Sequence, residues 1–279
     1  MSFHLDKFIP KNVITAKVIL ELRKAQTFRQ LVNVHTPTQL GRGDSYRVPG
    51  VGDITVGTYA GTDISIQDLA DINSDIAINQ AKYYAFYLDM VDNAQAAQTI
   101  LPLYSSRAAY KLADAADAFI ATTMTSGATV VNATPQDVDD TNVADVILAI
   151  KTKMDEANVP LAGRYLVVPP FMDAAIAKAN IMAIQASEQA RGNGFITRFL
   201  GFDIYTSNNL VNGANVAPKP QARFVVAGIM DAFDFVDCLN EVIFMDSEKR
   251  FASLSKGLHV YGGKVTQAAA IYKQDVQPA

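Results

Sequence analysis

The chain has 279 residues and a mass of 30.2 kDa, with 49% apolar and 19% charged residues. That composition is globular, long enough for one large domain or two modest ones, and too apolar for disorder. The 24 Lys and Arg against 28 Asp and Glu leave a net charge of −4, without the basic excess that nucleic-acid binders use to neutralise phosphates. One cysteine, Cys238, excludes an internal disulfide, a cysteine-based zinc site and an iron–sulfur cluster. His4, His35 and His259 have no local metal-ligand spacing.

No segment approaches the ~18–20 apolar residues of a membrane span. Asp6, Lys7 and Pro10 interrupt the start where a signal peptide needs an apolar run, so the mature chain is expected to begin near Met1 and fold in a cytoplasm.

Residues 12–30 predict a helix. Ile14, Val18, Leu22 and Ala25 recur at helical spacing, and Lys17, Glu21 and Lys24 can pair on another face. Such a helix either packs on its own domain or reaches a neighbour as an arm. Residues 36–81 are punctuated by glycine and carry short alternating stretches, Tyr46-Arg47-Val48 and Ile54-Thr55-Val56. They predict a long two-stranded excursion. It holds six aspartates, two arginines and no lysine, a local net charge of −4. A thin hairpin cannot bury both faces, so it needs another surface, preferably a basic one.

Residues 91–126 predict helix, with Asp89 or Asp92 as a cap and a break at Pro102. The part after Pro102 should run about six turns and end at Gly127. A polar stretch over 128–141 marks a subdomain boundary. A second helix follows, with Val143, Val146, Ile147, Ile150 and Met154 on one stripe, Thr141 or Asn142 as N-cap and Pro160 past its end. Arg164–Val168 predicts a strand, and Pro169 and Pro170 open a helix through Lys178. After the glycine-rich 191–194, residues 195–206 predict a hairpin. The chain from 223 to 273 is mainly β, in Phe224–Val226, Val242–Phe244 and Val265–Tyr272. The fold class is α+β, with β-rich ends around a mixed middle.

Catalytic signatures are missing. There is no GxSxG elbow and no GxxxxGK[ST] loop. Tyr261-Gly262-Gly263-Lys264 lacks the first glycine of a phosphate loop and has Val265 in place of Ser or Thr. Asp137, Asp139 and Asp140 precede a helix, where carboxylates suit the positive end of its dipole. Cys238 has no nearby histidine and suits a small core position. Gly41-Arg42-Gly43-Asp44-Ser45 spells an integrin-type adhesion motif, but without a secretion signal it is better taken as a hairpin turn. The prominent features are an arm, a long acidic hairpin and a long helix, which suit contacts with other chains rather than a catalytic pocket.

Four stretches, in this order, resemble the major capsid proteins of tailed bacteriophages that share the Hong Kong 97 fold. They are GRGDSYRVPGVGD (41–53), ANVPLAGRYLVVPPFMDAAI (157–176), GFITRFLGFDIYTSNNL (194–210) and GLHVYGGKVTQAAAIYK (257–273). The resemblance implies an N-terminal arm at 1–35 and an extended loop at 36–81. It implies a peripheral domain from 82–134 plus 221–279, with a spine helix, and an axial domain at 135–220. It also implies a virion structural protein that self-assembles as hexamers and pentamers into an icosahedral shell around double-stranded DNA. Such rings close through heterologous interfaces. The implied partners are further copies of the chain, a separate scaffolding protein and a portal. No cofactor, metal, membrane or catalytic residue is implied.

The absence of lysine from 36–81 departs from members that crosslink through a loop lysine, and predicts a non-covalent shell. The short start and length predict no inserted domain. Candidate subunit contacts are Arg42, Asp44, Asp68 and Asp71 on the loop and Arg107 and Lys111 on the spine helix, with Lys17 and Arg23 as further basic candidates. Two alternatives stand beside the capsid: an encapsulin-type nanocompartment shell, which differs in cargo, and more distantly a metabolic enzyme using the central αβα region.

Overall fold

A computed structural model of the chain describes residues 26–37, 42–51, 54–58, 71–89, 101–179, 195–213, 221–246 and 252–279. The strands are β1 (Asn33–His35), β2 (Ser45–Val51), β3 (Asp71–Ala77), β4 (Gln80–Asp89), β5 (Thr129–Val130), β6 (Gln136–Val138), β7 (Arg164–Val168), β8 (Phe195–Phe199), β9 (Phe202–Thr206), β10 (Arg223–Ile229), β11 (Phe233–Asp246), β12 (Ala252–Val265) and β13 (Tyr272–Pro278). The helices are α1 (Leu101–Gly127), α2 (Val143–Glu156) and α3 (Pro170–Lys178).

The larger sheet runs β5-β13-β10-β7-β9-β8, with β6 also paired to β13. All five residues of β7 are buried, as for a strand covered on both faces. It pairs in parallel with β9 across α3, because a parallel return needs a crossover longer than a tight turn. Pro169 and Pro170 start α3 as expected, where the missing N–H costs nothing. The β8–β9 hairpin turns through Leu200 at φ 50° and Gly201 at φ 88°. Two consecutive left-handed residues give the turn whose twist matches the flanking strands.

The second sheet runs β1-β11-β12-β4, and β2–β3 form a separate two-stranded ribbon. One apolar core joins both sheets. It includes Ile120 and Met124 of α1, Ile147 and Ile150 of α2, β7, and Phe233, Phe235 and Tyr261 of the second sheet. The expected boundary between 220 and 221 therefore falls inside a continuous structure: β10 and β13 hydrogen-bond into the same sheet as β7.

Several elements differ from their expectations. The residues described within 12–30 show a short 3-10 turn at Phe28–Leu31 rather than the end of an α-helix; 12–25 lie outside the described residues. Residues 54–58 carry no strand and are exposed, so Ile54-Thr55-Val56 does not extend the ribbon's ladder. The spine helix α1 spans 27 residues and holds Pro102 in its first turn, a position Pro tolerates. Asp92 lies outside the described residues, and Asp89 ends β4. Val265–Tyr272 is not one strand: β12 ends at Val265, the chain turns through Ala268–Ala270, and β13 begins at Tyr272. Three consecutive alanines have little β-propensity, and the turn lets β13 change sheets.

Arg164 explains the motif that precedes β7. It is 2% exposed, and its guanidinium donates to Pro160 O at 2.9 Å, Val159 O at 2.5 Å and Asp155 Oδ1 at 2.6 Å. These bonds fasten the α2–β7 loop, where Asn158 takes a left-handed φ of 55°. The hydrogen bond from Arg164, helped by Lys151, holds the Asp155 carboxyl below its usual range.

Candidate assembly surfaces

Much of the β2–β3 ribbon is exposed. β2 and β3 pair antiparallel from Ser45↔Ala77 to Val51↔Asp71. At the base, Gly43 N–H donates to Ile78 O at 2.9 Å and Ile78 N–H to Asp44 O at 3.0 Å. Arg42 and Gly43 thus form the turn into β2, which is what the adhesion-like tripeptide does here. Tyr46 and Val48 pack on a small cluster of Ile76, Ile78, Val236 and Val260. Further out the ribbon is exposed, and beyond it Ile54 and Val56 are 68% and 92% exposed.

Gly262 seats the ribbon. A Cβ there would stand 2.3 Å from Ala77 O and 3.0 Å from Ile78 Cα. Glycine lets the β3–β4 connection lie directly on β12. The YGGK stretch is thus mid-strand backbone, not a phosphate loop, and Lys264 Nζ donates to Asp75 O at 3.3 Å. Arg47 pairs with Asp75 along the ribbon, with Nε 2.9 Å from Oδ1. This hydrogen bond lowers the Asp75 carboxyl below its usual range. Both side chains are exposed, so solvent screens the pair and it adds little to stability.

Two histidine–aspartate pairs flank β11. His35 on β1 places Nε2 2.8 Å from Asp234 Oδ1, and its ring lies against Tyr46 at 5.1 Å. Asn33 Nδ2 and Thr266 Oγ1 also donate to Asp234. His259 on β12 places Nε2 3.0 Å from Asp237 Oδ1, while Arg29 donates to Asp237 Oδ2 at 2.5 Å. Among the described residues no group of His, Cys, Asp and Glu has metal-site geometry.

Burial pushes the Asp237 carboxyl up, but the hydrogen bond and charge of His259, with Arg29, outweigh it; the net shift is downward. A carboxyl depressed in the folded state stabilises above its unfolded pKa of about 3.9 and loses that contribution as pH falls through the folded value. Asp237→Asn is therefore expected to cost about 1–3 kcal/mol at pH 7 and progressively less below about pH 4. Urea titrations of unassembled subunits at pH 7 and pH 3.5 check this. A pH-independent difference would show that Asp237 does not titrate in this way.

The other cluster ties two distant parts of the chain to α1. Asp117 is fully buried, and its Oδ1 accepts the backbone N–H groups of Phe28 at 2.8 Å and Arg29 at 3.1 Å. Asn209 Nδ2 donates to Asp117 Oδ2 at 2.9 Å and to Asp114 Oδ1 at 3.0 Å. Ser207 N–H donates to Val168 O at the end of β7. The SNN motif thus fastens the large sheet to α1, and Asp117 caps the turn by which the N-terminal segment enters the body. Burial raises the Asp117 carboxyl above its usual value, Asp114 adds to the rise, and Asn209 with the two amides opposes it.

The residues proposed for subunit contact are spread over these elements. Arg42 is exposed beside the ribbon base with Asp44, and Asp71 opposes Val51 at the far end of the ladder. Asp68 lies outside the described residues, as do Lys17 and Arg23. Arg107 and Lys111 sit one turn apart on α1, Arg107 half-buried and Lys111 exposed, with Lys111 Nζ 5.9 Å from the Tyr110 ring centre. Among the described residues no ion pair joins Arg42 or Lys111 to a partner within the subunit.

The other polar candidates are structural. Asp139 accepts from the Thr141 hydroxyl at 2.7 Å and from the N–H groups of Thr141 and Asn142 at 2.9 Å, which lowers its pKa and fixes the turn before α2. Asn142 occupies the N-cap, but its side chain bonds back to Asp139 N–H and Asp137 O rather than into the helix. Cys238 packs on the ribbon-base cluster; burial, with Asp237 and Asp44 nearby, pushes its thiol pKa up, the opposite of a nucleophile. Sequence reasoning missed Asp117, Asn209 and Gly262, whose partners lie far away in the chain.

The profile of the phage capsid protein family matches residues 52–274. The chain belongs to the phage capsid protein family. The capsid protein also resembles solved structures over nearly its whole length. One from Mycobacterium phage Che8 is 26% identical with a TM-score of 0.72, covering 91% of this chain and 92% of that one. The capsid of cyanophage P-SCSP1u is 16% identical with a TM-score of 0.72, covering 98% and 94%. The capsid of Ralstonia phage GP4 is 10% identical with a TM-score of 0.70, covering 93% of each. No curated protein sequence matches the chain. The capsid protein has the expected α+β Hong Kong 97 fold and is a structural major capsid protein, not an enzyme. Neither the nanocompartment nor the metabolic reading is favoured by these matches. Among the described residues no helix is long and apolar enough to cross a membrane.

Proposed function

We propose that this capsid protein assembles as hexamers and pentamers into an icosahedral shell around phage double-stranded DNA, without covalent crosslinks. The observation that carries this reading is the ribbon: beyond its base it is exposed, acidic and tipped with apolar side chains, so it gains its burial from another subunit. The near-neutral chain suits a container that encloses DNA without gripping its sequence. A scaffolding protein and a portal are further partners, and assembly takes place in the bacterial cytoplasm. In this reading α1, β4, β11 and β12 form the peripheral domain. The axial domain takes residues 135–220 together with β10 and β13, an assignment supported by their shared sheet.

Negative-stain electron microscopy of concentrated protein, with its nucleic-acid content measured, tests the proposal. Closed shells, tubes or spirals on a hexagonal lattice agree with it; protein-filled shells would instead favour a nanocompartment. Co-expression with neighbouring phage genes covers the need for scaffolding, and persistent monomers there would overturn the reading. Denaturing gels of mature particles should show a band near 30.2 kDa; multimer ladders would overturn the non-covalent shell.

The acidic ribbon is read as pairing with Arg107, Lys111, Lys17 or Arg23 of a neighbour. Reversing Asp68 and Asp71 to Lys is expected to lower particle yield in a salt-dependent way. Each exposed pair contributes only about 0–1 kcal/mol, so the effect arises by repetition over the shell. Unchanged yield at low and high salt would remove the pairing.

A further inference from the structure

β4 is a ten-residue strand at the edge of the second sheet. It pairs with β12 on one side, and among the described residues no strand pairs with the other. Proteins blunt such edges with proline, a bulge or central charges, because an open edge is a template for another strand. β4 has no proline and keeps an unbroken register with β12, and its one lysine, Lys82, lies near an end. Its outer face is aromatic: Tyr83 is 78% and Tyr87 59% exposed, with the exposed Ala85 between them. Tyr84 and Phe86 alternate onto the other face, where their rings stack at 5.9 Å and Phe86 meets Tyr104 of α1.

The sequence of β4 is complementary to itself. Directly opposite residues in an antiparallel pair share a face, so a two-fold pair of β4 strands is centred on a residue rather than between residues. Centred on Ala85, Tyr83 of each copy opposes Tyr87 of the other on the outer face, and Tyr84 opposes Phe86 on the inner one. The small Ala85 meets itself on the axis. Centred on Tyr84 or Phe86 instead, a tyrosine falls opposite Ala85 and an aromatic ring crowds the axis. Aromatic cross-strand pairs are among the stabilising ones.

Two further observations say what covers the edge. A tyrosine presents about 150–250 Å² of side chain, so the two partly exposed tyrosines of each copy bury roughly several hundred Å² across the pair. That is well under the ~1,200 Å² of a stable free complex, and suits copies that a lattice already holds close. The orientation agrees. Val260, under the ribbon base, pairs with Ala81 and so shares the face of Tyr83 and Tyr87. A two-fold axis through Ala85, perpendicular to the sheet, keeps both ribbons on one side of the joined sheets, as a shell with one outer surface requires.

We propose that β4 is an isologous contact: in the shell it pairs antiparallel with β4 of a second copy across a two-fold axis at Ala85, joining two four-stranded sheets into one. The contact rests on the shell reading and names a surface by which neighbouring copies meet.

The test uses assembled particles of the full chain in a Cys238→Ser background, which removes the one native cysteine. Ala85→Cys, oxidised in the particle, is expected to give a disulfide-linked dimer on a non-reducing gel. Tyr83→Cys alone is not, because its counterpart lies four positions along the strand, about 13 Å away, beyond the ~7 Å limit of a disulfide. Tyr83→Cys combined with Tyr87→Cys is again expected to link. Ala85 is exposed, so charging it spares the fold. Ala85→Lys and Ala85→Glu each set like charges on the axis and should each lower particle yield roughly fivefold at low salt; an equal mixture of the two should restore it. Particles without an Ala85→Cys dimer would overturn the contact and leave the shell reading standing. Multimer ladders that appear only once Val56→Cys is added to Ala85→Cys would mean that a neighbour's ribbon fills the edge, and would overturn it likewise. Normal yield from the charged variants, or a mixture no better than either alone, would do the same. Failure of the unmodified chain to form particles would overturn the shell reading, and the contact with it.

Discussion

Gly262→Val is expected to cut particle yield by about tenfold or more while leaving the large sheet folded. The added Cβ meets the Ala77 carbonyl oxygen at 2.3 Å, and that oxygen belongs to backbone with no rotamer to change. Overpacking of this kind costs about 1–3 kcal/mol, and more where backbone must move. The cheapest relief is to lift the ribbon base off β12, which also disturbs the Tyr46 and Ile76 cluster beneath it. About 1.4 kcal/mol is tenfold in an equilibrium, and in a shell the displacement recurs in every subunit. Particle counts by electron microscopy, with hydrogen exchange across β7 and β10 as the folding control, check the outcome. Gly262→Ala should fall between, since it brings the same Cβ without the two methyls. Normal yield from both variants would show that the ribbon's seat is not needed for assembly.

Asp117→Ala is expected to destabilise the unassembled subunit by about 2–4 kcal/mol, the loss of several hydrogen bonds to a buried carboxylate. It leaves the Phe28 and Arg29 amides without their acceptor and frees one side of Asn209. Its pH dependence runs opposite to that of Asp237. A carboxyl whose folded pKa is raised binds its proton more readily in the folded state, so its contribution falls as pH rises through the range between the unfolded and folded values. The gap between wild type and Asp117→Ala should therefore be wider at about pH 4 than at pH 7. Denaturant titrations at the two pH values check it. A gap that widens with pH would show that the amides and Asn209, not burial, dominate this carboxyl.

The parts of the fold legible in the sequence are those where local rules and tertiary context agree. The α2 stripe of Val143, Ile147, Ile150 and Met154 is buried as its spacing requires. Pro169 and Pro170 start α3, and the hairpin of β8 and β9 falls within 195–206. β12 was hard to read because Gly257, Gly262 and Gly263 look like breaks. In the structure they are places where Tyr84, the Ala77–Ile78 backbone and Phe233 press against the strand, so each reason for glycine lies on another element. β4, with its run of aromatic residues, is set by pairing with β12 over ten positions, a partner more than 160 residues away in the chain. The assembly candidates were legible only in part. The acidity of the ribbon shows in a count of aspartates, whereas the Asp117–Asn209 junction joins residues 92 apart, and no spacing rule links them.

The place of β13 in the large sheet bears on synthesis. β13 lies between β10 and the short strands β5 and β6, and all three pairings depend on residues 272–278. A nascent chain carries β10 and β7 out of the ribosome first, and the edge of β10 then waits, unpaired and apolar, for that late segment. A product broken off before Tyr272 cannot close the sheet or complete the core around Ile271 and Val276. Such fragments are expected to be substrates for chaperones and proteases rather than lattice subunits. A shell of many identical parts is thereby built from chains whose translation has passed this point.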